Sequence, residues 1–176
     1  MNTILKGLLK NRITKLVIEV TLILLVFIII KTWMQRSMID GTPAPIQATT
    51  IEGQAFELEA LKGKSVLVHF WATWCNICRL EQDSIDAISK THTVITIAMK
   101  SGQAEKVDAY MQKNKLSYPV INDPEGEISR RYGVNAVPAS FILNPQGEIA
   151  FRETGYTSNW GLRIRMWLAG LNNSSP

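Results

Sequence analysis

Two kinds of apolar segment divide the chain. From Leu16 to Met34 the sequence is almost continuously hydrophobic, centred on Val20-Thr21-Leu22-Ile23-Leu24-Leu25-Val26-Phe27-Ile28-Ile29-Ile30. These 19 residues approach the roughly 20 that an α-helix needs to cross the hydrocarbon core of a bilayer. Glu19 and Lys31 stand near its two ends, where long side chains reach the headgroups, and Trp33 suits the interface. Beyond residue 44 the apolar runs become short and are separated by turn residues.

Ile46–Ile51 and Ala55–Leu58 flank Glu52-Gly53-Gln54 and predict an N-terminal β-hairpin. Val66–Phe70, bounded by Lys62-Gly63-Lys64, reads as a buried central strand. After the cysteines, Leu80, Ile85 and Ile88 recur at helical spacing with Asp83 and Asp86 between them. Val94–Ala98 is the next strand. Gln103–Lys115 follows as a helix with Val107, Tyr110 and Met111 on one face. Val120-Ile121 predicts a short strand, and Glu125–Tyr132 a short helix closed by Gly133. Ala139–Leu143 and Glu148–Phe151 enclose the hairpin signal Asn144-Pro145-Gln146-Gly147. Trp160–Leu171 closes the pattern as a helix offering Leu162, Ile164, Met166, Trp167 and Leu168 for packing. Alternating strands and helices followed by a hairpin and a helix imply an α/β fold, with a mixed central sheet and helices on both faces. The expected organisation is a cytoplasmic N-terminus at 1–15, a transmembrane anchor at 16–34, a linker at 35–44 and one domain at 45–176.

Charge changes the picture mainly by its location. Lys6, Lys10, Arg12, Lys15 and Lys31, against the single Glu19, account for the whole formal charge of +4. The rest of the chain carries 14 basic and 14 acidic side chains, so no basic patch argues for a nucleic-acid partner. Positive charge before the apolar run places that end in the cytoplasm and the domain outside it. Ile30–Arg36 contains no small-x-small cleavage pattern, which favours an uncleaved anchor over a removed signal peptide. With 46% hydrophobic and 19% charged residues the chain is globular rather than disordered.

The chain has two cysteines, Cys75 and Cys78. In an oxidising compartment cysteines are usually paired or redox-active, and a loop this small does little to staple a fold. Trp71-Ala72-Thr73-Trp74-Cys75-Asn76-Ile77-Cys78 directly follows the central strand and opens the next helix. A helix N-terminus presents unpaired N–H groups and partial positive charge. A thiolate is favoured there, and the thiolate is the attacking species in disulfide exchange. Cys78, one turn later, is placed to resolve the mixed disulfide.

Residues 44–171 resemble the thioredoxin superfamily. The run Phe70–Cys75 looks like its membrane-anchored, extracytoplasmic branch typified by TlpA, ResA and CcmG. The anchor and Met99-Lys100-Ser101-Gly102 look closest to the suppressor-of-copper-sensitivity (ScsD) thioredoxin-like group. The resemblance implies a thioredoxin-like fold, an exposed nucleophile at Cys75, a buried resolving thiol at Cys78, and a cis proline at Val137-Pro138 facing them. It implies a redox-active Cys75–Cys78 disulfide, with no cofactor besides it. The implied partners are protein thiols or disulfides, and a membrane redox partner that recycles the dithiol. The implied location is a bacterial inner membrane, single-pass, with the domain in the periplasm.

Glu81 stands where the ResA-like branch carries an active-site glutamate, and is either a handler of the Cys78 proton or a solvated helix residue. His69 stands where thioredoxin has a buried aspartate; it either replaces that group or is a hydrogen-bonded core histidine. Arg79 reads as solvated. Trp74 and Val137 are candidates for substrate contact, whereas Trp71 and Trp160 read as packing residues. Reduction or isomerisation of protein disulfides is the expected activity. A disulfide-forming oxidant and a copper(I)-binding thiol chaperone are the alternatives. Zinc is disfavoured because His69 and His92 lack the spacing of a zinc site.

Overall fold

The computed structural model describes residues 12–171. Most of the expected cytoplasmic N-terminus therefore lies outside the described residues, as do residues 172–176 of the domain. The chain divides into two compact units, with the boundary after Arg36.

The first unit is a single helix, α1 (Arg12–Gln35), of 24 residues, about 36 Å at 1.5 Å per residue. Within it Thr14–Gln35 is long and apolar enough to cross a membrane. Its large hydrophobic side chains from Leu16 to Ile30 are exposed all round, the distribution expected where the surroundings are lipid. Thr21 and Thr32 turn their hydroxyls back onto the carbonyls of Val17 and Ile28, both at 2.8 Å. Neither hydroxyl is then left unpaired in an apolar medium.

The second unit is built on a five-stranded sheet in the order β5-β4-β3-β6-β7. The strands are β3 (Val66–Trp71), β4 (Thr93–Met99), β5 (Val120–Asp123), β6 (Ala139–Leu143) and β7 (Ile149–Thr154). The pairs β3–β4 and β4–β5 are parallel, whereas β6 runs antiparallel to both β3 and β7. The mixed sheet follows from the connections: helical crossovers join the parallel strands, and the Asn144–Gly147 turn permits only an antiparallel return. The expected hairpin forms as a small separate sheet of β1 (Gln47–Thr49) and β2 (Ala55–Glu57).

β3 is buried along its whole length, and its alternation assigns side chains to two cores. Val66, Val68 and Phe70 enter one core with Tyr132 and Phe141, whose rings lie 5.1–5.7 Å apart with that of Phe70. Leu67 and Trp71 enter the other, and His69, between them in sequence, points to the same face. That second face is covered by α2 (Asn76–Ser89), α3 (Ala104–Asn114) and α5 (Asn159–Leu171), through Ile85 and Ile88, Val107 and Met111, and Leu162, Met166 and Ala169. The first face is covered by α4 (Glu127–Arg131) and by the segment that leads into the hairpin. α4 is fixed by the buried Asp123, whose carboxylate accepts from Ile128 N, Ser129 N and Ser129 Oγ at 3.1, 2.9 and 2.7 Å.

Several sequence readings change. The stretch expected as a linker is docked over much of its length: Met38 is buried, Ser37 Oγ donates to the Gly133 carbonyl at 3.0 Å, and the Tyr132 hydroxyl donates to Ala44 O. β7 begins one residue later than predicted, because Glu148 N donates to Asn144 Oδ1 at 2.9 Å and belongs to the turn. In α5 Leu162, Met166 and Ala169 face the core, while Trp160, Ile164, Trp167, Leu168 and Leu171 remain exposed. Trp160 is therefore not a packing residue: this helix is apolar on nearly every side, and the sheet covers one side only.

Candidate active site

The end of β3 and the start of α2 bring the two cysteines to the C-terminal edge of the parallel strands. Cys75 is the N-cap of α2, in extended conformation, and its sulfur accepts the Cys78 N–H at 3.1 Å. The cap is thus made by the reactive atom itself, so the backbone dipoles that favour a thiolate act on it directly. The two cysteines form a disulfide, with their Cα atoms 5.3 Å apart.

Val137-Pro138 is a cis peptide, and the Val137 carbonyl oxygen lies 3.6 Å from Cys75 Sγ. The Pro138 carbonyl accepts Gly155 N at 2.9 Å, which ties this loop to the residue that follows β7. Trp74 is half exposed beside the dithiol, and its indole N–H donates to Lys100 O at 2.9 Å. Thr73 N donates to Ser101 Oγ at 3.0 Å, and that hydroxyl donates in turn to Met99 O. The segment Met99–Gly102 therefore supports the cysteine loop from the side.

The structure departs from the expected exposure of Cys75. It retains 6% of its surface against 3% for Cys78, its sulfur being joined to Cys78 and lying 3.6 Å from the Val137 carbonyl oxygen. Trp71, by contrast, is buried as expected, with its indole N–H on Thr96 Oγ1 at 3.1 Å and its ring against Tyr110 and Tyr118. Arg79 is exposed and lies beside the Tyr110 hydroxyl, in keeping with a solvated role.

Glu81 is not a solvated helix residue. It retains 1% of its surface, and its Oε2 accepts the Thr157 N–H at 3.0 Å. Burial pushes its pKa up to about 7, against a smaller lowering by that N–H. Its Oε1 lies 3.6 Å from His69 Nε2, so the imidazole faces the carboxyl at a distance longer than a direct hydrogen bond. His69 Nδ1 sits 2.9 Å from Ser140 Oγ, and burial pushes the imidazole down to about 3. Both members of the pair are thus neutral through most of the mildly acidic range. Ser140 and Thr157 carried no role in the sequence reading, and Ser101 entered it only through the resemblance of Met99–Gly102. Their signal is three-dimensional, since each supports the site across at least 28 residues of chain.

Among the described residues no group of three or more His, Cys, Asp or Glu side chains converges as a metal site.

A dithiol–disulfide pair at a helix N-terminus, beside a cis proline on a mixed five-stranded sheet, defines a thioredoxin-like thiol–disulfide oxidoreductase. The chain belongs to the AhpC/TSA family, whose profile matches residues 41–152. It is 32% identical over 170 residues to the thioredoxin-like protein of Haemophilus influenzae, covering 94% of this chain and 96% of that one. The thiol-disulfide oxidoreductase ResA of Bacillus cereus is 32% identical over 120 residues, covering 65% of this chain and 69% of the relative. Among solved structures, StoA from Bacillus subtilis superposes with a TM-score of 0.59 at 30% identity, covering 72% of this chain and 98% of that one. The exposed lipoprotein thioredoxin Etrx1 of Streptococcus pneumoniae gives 0.61 at 27% identity, with coverages of 71% and 99%. These relatives agree with the ResA-like branch that the Phe70–Cys75 run resembles.

Proposed function

We propose that the chain is a membrane-anchored, extracytoplasmic enzyme that reduces or isomerises protein disulfides. In this reading Cys75 attacks a substrate disulfide and Cys78 resolves the mixed disulfide that results. The carrying observation is the position of Cys75 Sγ, which caps α2 while lying 3.6 Å from the Val137 carbonyl. A substrate cysteine that reaches this sulfur runs beside Val137-Pro138, where an extended segment pairs with the loop backbone. Trp74 provides an apolar wall for the same segment. Glu81, three residues after Cys78 and on the same helix face, accepts the proton that leaves Cys78 and returns it in the reverse reaction.

The apolar α1 supports single-pass anchoring. The basic N-terminal flank supports a cytoplasmic N-terminus and a periplasmic domain at a bacterial inner membrane. A membrane redox partner then recycles the dithiol. Reduction of cysteines oxidised under copper stress would give a copper-tolerance role without any metal bound to the chain.

The test is trapping. In Cys78→Ala the mixed disulfide on Cys75 has no resolving thiol, so substrates and recycling partner accumulate as disulfide-linked adducts that reductant releases. A folded variant with a reactive Cys75 and no adducts in cells would sink the reading. The direction follows from the reduction potential: near −270 mV, roughly that of thioredoxin, for a reductant, and near about −120 mV for an oxidant.

A further inference from the structure

β3 places His69 in the middle of the central strand, directly opposite Ser140 on β6. A polar side chain there is costly to bury unless its nitrogens have partners. His69 retains 2% of its surface, and both of its nitrogens face polar atoms: Nδ1 lies 2.9 Å from Ser140 Oγ, and Nε2 lies 3.6 Å from Glu81 Oε1. Glu81 is held on its other oxygen by Thr157 N at 3.0 Å. The line Ser140–His69–Glu81–Thr157 spans β6, β3, α2 and the entry to α5. Its member on α2, Glu81, lies one turn after Cys78 on the same helix.

We infer that His69, oriented by Ser140, is a positioning residue that presents an N–H to Glu81 Oε1 and so sets the pH at which this carboxyl exchanges a proton with Cys78. The inference rests on the exchange reaction proposed above. The imidazole carries hydrogen on Nε2 when the Ser140 hydroxyl donates to Nδ1. In that state both carboxyl oxygens face donors, and the carboxylate is supported in a site that burial otherwise makes hostile to it.

The proton balance is explicit. When an incoming thiolate attacks Cys75 Sγ, a new S–S bond forms to Cys75 and the Cys75–Cys78 bond breaks. Its electron pair goes to Cys78. Glu81 then passes its proton to the Cys78 thiolate and becomes a carboxylate facing the His69 N–H. The resolving reaction runs the same transfer backwards.

Other titratable groups face the same region. Tyr118 interacts electrostatically with Glu81, but burial holds its phenol far above its ordinary value. Glu153, opposite Ser140 on β7, is paired with Arg165 of α5 at 2.8 Å. On α2 itself Arg79 and Asp83 are exposed. None of these replaces His69 at Oε1.

The test follows reduction of the oxidised full chain in detergent by dithiothreitol between pH 5 and 9, with rates normalised to the probe's thiolate fraction. Wild type shows a fall in rate centred near neutrality as Glu81 ceases to donate a proton. Glu81→Gln removes that inflection. His69→Leu moves it to higher pH by about one unit, a tenfold change in the carboxyl's proton affinity. Ser140→Ala moves it in the same direction by less. A core histidine with no influence on Glu81 leaves the inflection in place, so an unshifted profile in folded His69→Leu overturns the inference. If that variant does not fold, an unshifted Ser140→Ala profile has the same force. An inflection that survives in Glu81→Gln also overturns it. No reduction of wild type at any pH would instead defeat the exchange reading itself.

Discussion

Replacing Glu81 by glutamine turns the burial of this carboxyl into a measurable stability. Its pKa rises from 4.5 to about 7 on folding, and one unit is worth 1.36 kcal/mol. A raised carboxyl pKa contributes stability that is fully present below the unfolded value and is lost as pH rises through the folded one. Wild type therefore loses about 3 kcal/mol from this group between pH 4.5 and pH 7 or slightly above. His69 works in the opposite sense. Its pKa falls from 6.5 to about 3, so its contribution is present above pH 6.5 and is lost as pH drops towards 3. Between pH 4.5 and 6.5 the folded pair holds its proton on Glu81, whereas the unfolded pair holds one on His69. The proton count is the same in both states, and the two slopes cancel.

Oxidised wild type is then nearly flat in stability across that window as far as this pair is concerned. Glu81→Gln keeps only the histidine slope and gains about 3 kcal/mol from pH 4.5 to 6.5. Urea unfolding of the full chain in detergent, at half-unit pH steps, measures both curves. Parallel profiles for the two proteins would refute the assignment of Glu81 as a buried neutral acid.

Other perturbations probe the framework and the rim. Gly133 has φ +67°, and a Cβ there would collide with the Ser37 carbonyl oxygen; Gly133→Ala should destabilise the domain by about 3 kcal/mol or more in urea unfolding. Asp123→Ala strips three hydrogen bonds from the start of α4 and should cost about 2–4 kcal/mol in the same assay. Trp74→Ala should lower kcat/KM about tenfold for a protein disulfide and change little for a small disulfide, because only the larger substrate uses the indole as a wall.

Much of this architecture is written in local signals. The β3 run, the Asn144–Gly147 turn and the Cys75–Cys78 spacing are each decided within a few residues. Element ends were less legible: Lys115 ends α3 in a left-handed conformation at φ 56°, and Glu148 is claimed by a side-chain bond that no periodicity announces. The site was legible in its sulfurs and its cis proline, but not in its supports. His69 and Glu81 are 12 residues apart on different elements, and only the fold brings a strand position and a helix position to 3.6 Å. Burial likewise removes the solvated reading of Glu81. The exposed face of α5 shows the converse, since hydrophobic residues mark a helix without saying which of them the sheet will cover.

The most direct measurement mixes the reduced full chain with a cysteine-paired peptide disulfide, quenches with acid, and weighs both products by mass spectrometry. The account predicts that two hydrogens leave the chain at Cys75 and Cys78 while two peptide thiols appear in equal amount. A dithiol that stays reduced beside an intact peptide disulfide, in a folded protein, would contradict it.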